Sequence, residues 1–193
     1  MEAFLISAGI AALAELGDKS QLLAILLAAR FRAPLAIIAG IALASAVNNG
    51  LAATLGEFAG EWFTPDHLRI VLALSFIAMA VWMMVPERDS GDSPRMMDRL
   101  GAFGASAISF FLIEMGDKTQ IAAVALAAHY QSIAAVAAGT TLGMMIADVP
   151  AIYLGEIATR KIPLRMVRAA AAVLFLLLAL LALMDYFRRF LYA

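Results

Sequence analysis

The stretch FLISAGIAALAELGDKSQLLAILLAA, residues 4–29, sets Glu15, Asp18 and Lys19 in the middle of an otherwise apolar run. Ninety-nine positions later the pattern returns as IEMGDKTQ, Ile113–Gln120, inside a second apolar run. An apolar run of this length reads as a bilayer-spanning helix, which needs about 20 mostly apolar residues. Charged groups at the centre of such a helix cost about 2.5–3.5 kcal/mol each on insertion scales. They must therefore face one another, water or a cation rather than lipid.

The rest of the chain agrees with a membrane setting. Of 193 residues, 64% are apolar and 15% charged, and mean hydropathy is +0.89. Soluble domains hold about 45–50% apolar and about 25% charged residues. Six segments have the length and apolarity of spans: 4–28, 33–59, 67–86, 102–128, 132–158 and 164–187. Short polar breaks separate them, and the longest, PERDSGDSPRMMDR at 86–99, falls mid-chain. The expected fold is an all-α integral membrane protein with six transmembrane helices. Net charge is −1 and no long Lys/Arg run occurs, so a nucleic-acid partner is not indicated. The absence of cysteine removes disulfides, thiolate nucleophiles and thiolate metal sites. No Ser–His–Asp set stands out and no histidine lies mid-span, so the chain does not read as an enzyme.

With six spans, the loops after spans one, three and five share a side. They carry nine Lys/Arg: Arg30, Arg32, Arg88, Arg95, Arg99, Arg160, Lys161, Arg165 and Arg168. The other side carries three: Arg69, Arg188 and Arg189. The positive-inside rule then places both termini outside the cytoplasm.

The halves align without a gap at an offset of 99. Glu15, Gly17, Asp18, Lys19 and Gln21 match Glu114, Gly116, Asp117, Lys118 and Gln120; Ser20 meets Thr119, Gly40 meets Gly139, Asn49 meets Asp148, and LGE at 55–57 meets LGE at 154–156. Three spans per half means that the second copy enters the membrane from the opposite side. The expected organisation is two inverted three-helix repeats, residues 1–87 and 101–193, joined by a cytoplasmic loop at 88–100. In such designs the site lies near mid-membrane where the repeats meet.

At helical spacing Glu15 and Asp18 share a face, as do Glu114 and Asp117, and each lysine stands four residues after its own glutamate, so each can pair with its own glutamate. Glu15, Asp18, Glu114 and Asp117 are the candidate metal ligands. Lys19, Ser20, Gln21, Lys118, Thr119, Gln120, Asn49 and Asp148 are candidates for a supporting or coupling role. Glu57 and Glu156, near span ends, read either as cation-recruiting mouths or as interfacial glutamates. Gly40, Gly56, Gly139 and Gly155 read as packing positions, and Trp62, Trp82, Tyr186 and Tyr192 as interfacial anchors. Five carboxylates against two lysines leave a charge near −3, which cations or protons must fill. All-oxygen ligands favour Mg2+, Ca2+ or Mn2+. Metal and protons compete for such acids, and that competition with alternating access yields cation/proton antiport.

Two copies of Glu-x-Gly-Asp-[Lys/Arg]-[Ser/Thr], here ELGDKS at 15–20 and EMGDKT at 114–119, resemble the signature of the Gdt-type cation exchangers, relatives of transmembrane protein 165 and of small bacterial manganese exporters. The resemblance spans the whole chain. It implies export of Mn2+ or Ca2+ from the cytosol in exchange for protons, with no resident cofactor, and Glu15, Asp18, Glu114 and Asp117 as the metal-binding acids. It also implies a bacterial inner-membrane location; a homodimer is left open. Two other readings remain at this point. One is an exporter of another cationic solute, such as an amino acid; the other is a non-transporting assembly module in which the lysines fully pair the motif acids.

Overall fold

The computed structural model describes residues 1–62, 65–84, 100–161, 169 and 172–184. Among the described residues the chain is helical, without strands: α1 Glu2–Glu15, α2 Lys19–Phe31, α3 Pro34–Gly60, α4 Pro65–Met84, α5 Gly101–Glu114, α6 Lys118–Tyr130, α7 Ile133–Lys161 and α8 Ala172–Met184. The runs of Ala, Leu and Ile favour helix. The stops are local. Arg32 (φ 51°) and Gln131 (φ 50°) adopt the left-handed conformation and return their N–H groups to Ala28 O and Ala127 O, a helix-terminating bond of the αL type. These positions are 99 apart. Pro34 opens α3 and Pro65 opens α4, where a missing N–H costs nothing.

The structure corrects the expectation of continuous spans. The first and fourth apolar segments are not continuous helices. Each breaks within its motif, at 16–18 between α1 and α2 and at 115–117 between α5 and α6. Leu16 (ψ 116°) and Met115 (ψ 114°) are extended, Gly17 (φ 75°) and Gly116 (φ 79°) are left-handed, and Asp18 and Asp117 are extended again before the next helix starts. Glycine pays no Cβ penalty in the left-handed region. An apolar pattern says nothing of such a break, because both half-helices are apolar. Among the described residues, only α3 and the Ile133–Tyr153 part of α7 are long and apolar enough to cross a bilayer as single helices.

Those two helices occupy the middle. α3 packs on α5, α6 and α7, while α7 packs on α1 and α2. Gly40 of α3 lies against the Phe103 carbonyl and Ser106 of α5, and Gly139 of α7 lies against the Phe4 carbonyl and Ser7 of α1. Gly56 meets α6 at Val124 and Ala127 in the same manner. Close backbone approach over small residues is how helices associate where no hydrophobic drive exists between them. Gly155 lies outside the described side chains, as do Trp82, Tyr186 and Tyr192.

One apolar cluster joins Ile10, Phe76, Met79, Leu126, Val136 and Phe175; a second joins Leu27, Ile37, Ile41, Phe110 and Ile152. Phe76 of α4 and Phe175 of α8 stack with ring centroids 6.2 Å apart. Outside these clusters, large apolar side chains such as Leu5, Leu35, Leu55, Phe58, Leu112 and Leu181 face outward, while Ser7, Glu15, Asp18, Asn48, Asn49, Asp117 and Asp148 are buried. That is the reverse of a soluble protein's habit and suits lipid surroundings.

Candidate functional site

The two breaks bring the acids together. Glu15 closes α1 and Glu114 closes α5, while Asp18 and Asp117 stand at the N-terminal ends of α2 and α6, where the helix dipole favours negative charge. In each break the aspartate N–H donates to the glutamate carbonyl at 3.1 Å, Asp18 to Glu15 and Asp117 to Glu114. The glycine N–H donates to the following glutamine, Gly17 to Gln21 Oε1 and Gly116 to Gln120 Oε1, both at 2.8 Å. Backbone polar groups exposed by a broken helix must find partners inside the protein when lipid surrounds it. The glutamines supply them. Gln21 also donates through Nε2 to the Ala147 carbonyl of α7 at 3.1 Å, which ties the first break to that helix.

The lysines do not pair with their own glutamates, contrary to the unbroken-helix expectation. They cross between halves. Lys19 Nζ lies 3.2 Å from Asp117 Oδ1, and Lys118 Nζ pairs with Asp18 Oδ1. The break ends the helical register that would have set Lys19 over Glu15, and turns it toward the other segment. The two bridges are unequal. The Lys118 side chain is 3% exposed and that of Lys19 30%, whereas both aspartate side chains are fully enclosed. The hydroxyls stay local. Ser20 donates to Glu15 Oε1 and sits 3.3 Å from Asp18 Oδ2; Thr119 sits 3.4 Å from both Glu114 Oε2 and Asp117 Oδ2.

Glu15, Asp18 and Glu114, from both halves, each offer a carboxylate oxygen within 4.8 Å of the other two, and all three are buried. Glu15 Oε2 and Glu114 Oε1 have no hydrogen-bond partner. Asp117, held by Lys19, stands outside that trio. Asp148 of α7 is buried and also stands outside that trio. Asn49 of α3 donates to Thr141 Oγ1 at 3.3 Å and to Met144 Sδ at 3.2 Å, both on α7. Glu57 is half-buried two turns beyond Asn49 and outside the acidic trio, and the side chain of Glu156 lies outside the described residues.

Sequence reasoning passed over Asn48. It is buried, donates to the Phe111 carbonyl of α5 at 3.1 Å, and leaves its own Oδ1 without a partner. Its counterpart at the 99-residue offset is Ala147, so the repeat alignment gave it no weight. Two adjacent asparagines inside an apolar span were the available signal. Thr141 and Met144, which fix Asn49, carried none.

An enclosed set of carboxylate oxygens with surplus negative charge can hold a hard divalent cation. Known proteins point the same way. A family model described as "Divalent cation/proton antiporter GDT1" matches residues 3–91 and 102–189. A Vibrio cholerae serotype O1 protein named "Putative manganese exporter" is 46% identical over 181 residues, covering 93% of this chain and 90% of that one. No solved structure matches the chain. With the family model covering both halves and each motif intact, the chain belongs to the GDT1 family of divalent cation/proton antiporters.

Proposed function

We propose that the protein exports a divalent cation from the cytosol in exchange for protons, with Mn2+ as the first candidate and Ca2+ as the second. The cation is held by Glu15, Asp18, Glu114 and Asp117. Lys19, Ser20, Gln21, Lys118, Thr119, Gln120, Asn49 and Asp148 support it, and Glu57 and Glu156 stand toward the mouths. The observation that carries this reading is the buried trio of carboxylates, drawn from both halves and within 4.8 Å of one another. Family membership supports a divalent cation and proton exchange, and the name of the Vibrio cholerae relative favours manganese.

The path is built by two inverted repeats, 1–87 and 101–193, in the bacterial inner membrane. The six spans are α1 with α2, α3, α4, α5 with α6, α7 and α8, with both termini outside. The matched breaks and matched glycine contacts at an offset of 99 support two equivalent halves. When the cation leaves, protons take its place on the acids. The site returns in that less charged form, because the bare charge is too costly to carry through a dry interior.

A fully paired assembly module is disfavoured by the bare oxygens of Glu15, Glu114 and Asp148. The test is Mn2+ flux in proteoliposomes under an imposed pH gradient, with Asp18→Asn and Asp117→Asn alongside the wild type. Flux that follows the gradient and disappears in both variants is expected. Equal flux in all three proteins removes the motif from the mechanism, and flux indifferent to the gradient removes proton exchange.

A further inference from the structure

Each of the four motif acids has a partner within the protein: Asp18 has Lys118, Asp117 has Lys19, Glu15 has Ser20 and Glu114 has Thr119. Asp148 has none. Its side chain is 0% exposed and neither carboxylate oxygen makes a hydrogen bond. A buried carboxylate in that condition is costly, and it persists where something absent from the polypeptide completes it.

Its surroundings say what. Thr141, Met144 and Asp148 are spaced i, i+3 and i+7 along α7 and form one stripe. Asn49 of α3 is bound to the first two, so the stripe faces the α3–α7 contact. Gln21, beside the first break, grips the carbonyl of Ala147, the residue preceding Asp148. Glu15 at the end of α1, Glu114 at the end of α5 and Asp18 at the start of α2 are the acids gathered beside these contacts. Lys118, which also faces Glu15, is committed to Asp18. Asp148 therefore lies on the face of α7 turned toward α3 and the first break, beside the trio but outside its 4.8 Å set of oxygens. At the equivalent place in the first half stands neutral Asn49, its amide nitrogen already used.

The geometry points to Asp148 as a direct ligand of the transported cation. Resting on the exporter reading above, this places the ion off the pseudo-twofold axis, toward α7. There Asp148 adds a fifth carboxylate, on the α7 side, to Glu15, Asp18, Glu114 and Asp117. The two halves then contribute unequally, and the Asn49/Asp148 difference is the reason.

The test uses the purified full chain in detergent with MnCl2. Binding is read from loss of the free aqueous Mn2+ paramagnetic resonance signal, and stability from thermal unfolding with and without metal. Asp148→Asn and Asp148→Ser are compared with the wild type and with Asp18→Asn. The expected result is that both Asp148 variants weaken Mn2+ binding by about tenfold or more. Without metal they unfold at the wild-type temperature or above it, because an uncompensated acid has been removed. Wild-type binding in the Asp148 variants overturns the assignment. So does a lower unfolding temperature without metal, or failure of both variants to fold, since either makes Asp148 a structural acid. If the wild type itself binds no Mn2+, the manganese reading fails first. If the wild type binds and Asp18→Asn does not, while the Asp148 variants bind normally, only this inference falls.

Discussion

Lys118 pairs with Asp18, one hundred positions earlier in the chain and in the opposite half, and not with Glu114, which precedes it by four residues. The pair is enclosed, with side-chain exposures of 3% and 0%. Removing one member of a buried pair strands the other charge and costs about 3–5 kcal/mol. Lys118→Met and Asp18→Asn should each lower the unfolding free energy on that scale, and the double variant should recover a large part of the loss. Chemical unfolding of the four proteins in detergent gives the cycle; simple additivity of the two losses would show that the residues do not interact.

The companion bridge should behave differently. Lys19 is 30% exposed and 3.2 Å from Asp117, so solvent weakens the pairing, and exposed pairs contribute about 0–1 kcal/mol. Lys19→Met is expected to destabilise clearly less than Lys118→Met in the same assay. Equal losses would contradict the inequality of the two bridges.

Gly17 and Gly116 sit at φ 75° and 79°. An alanine in this region costs about 1–2 kcal/mol, and here it also shifts the acids that flank it. Gly17→Ala and Gly116→Ala should lose stability by that amount and lose most Mn2+ flux. Gly9→Ala is the control: Gly9 lies within α1 and a Cβ there meets nothing within 4 Å, so it should be neutral or slightly stabilising. Full flux from Gly17→Ala would mean that the break does not set the geometry of the site.

The Gly40–Phe103 and Gly139–Phe4 contacts leave no room for a methyl group against a backbone carbonyl. Gly40→Ala and Gly139→Ala should each destabilise by about 1–3 kcal/mol through forced separation of the helices. Gly50→Ala, with open space around it, should not. Thermal unfolding separates the three.

Carboxylates bind metal only when deprotonated. Apparent Mn2+ affinity should therefore fall as pH is lowered, and the loss should be reversible. Titrations of binding across pH check it; affinity that rises on acidification would exclude the acids as ligands.

The doubled motif and the glycine contacts were legible in the sequence because duplication repeats them in register: Glu15 with Glu114, Gly40 with Gly139. The helix ends at Arg32 and Gln131 fall at the polar breaks that the apolar pattern leaves. The partners of Lys19 and Lys118 were not legible. Local spacing assigns them to Glu15 and Glu114 only if the helix is continuous, and a single left-handed glycine overturns that assumption without changing hydropathy. Asn48 was missed for the opposite reason, since it has no counterpart in the repeat. The convergence of Glu15 with Glu114 depends on how α3 and α7 pack between the halves, which no short-range pattern contains.

The crossed bridges also bear on ancestry. A lone half would carry a buried aspartate and a lysine that its own backbone turns away from each other. Two identical copies, inserted in opposite senses and related by a twofold axis, would complete one another with the contacts that Lys19–Asp117 and Lys118–Asp18 make now. Fusion of such copies would then free positions such as 49 and 148 to diverge, one neutral and one acidic, which a symmetric pair encoded by one gene could never do.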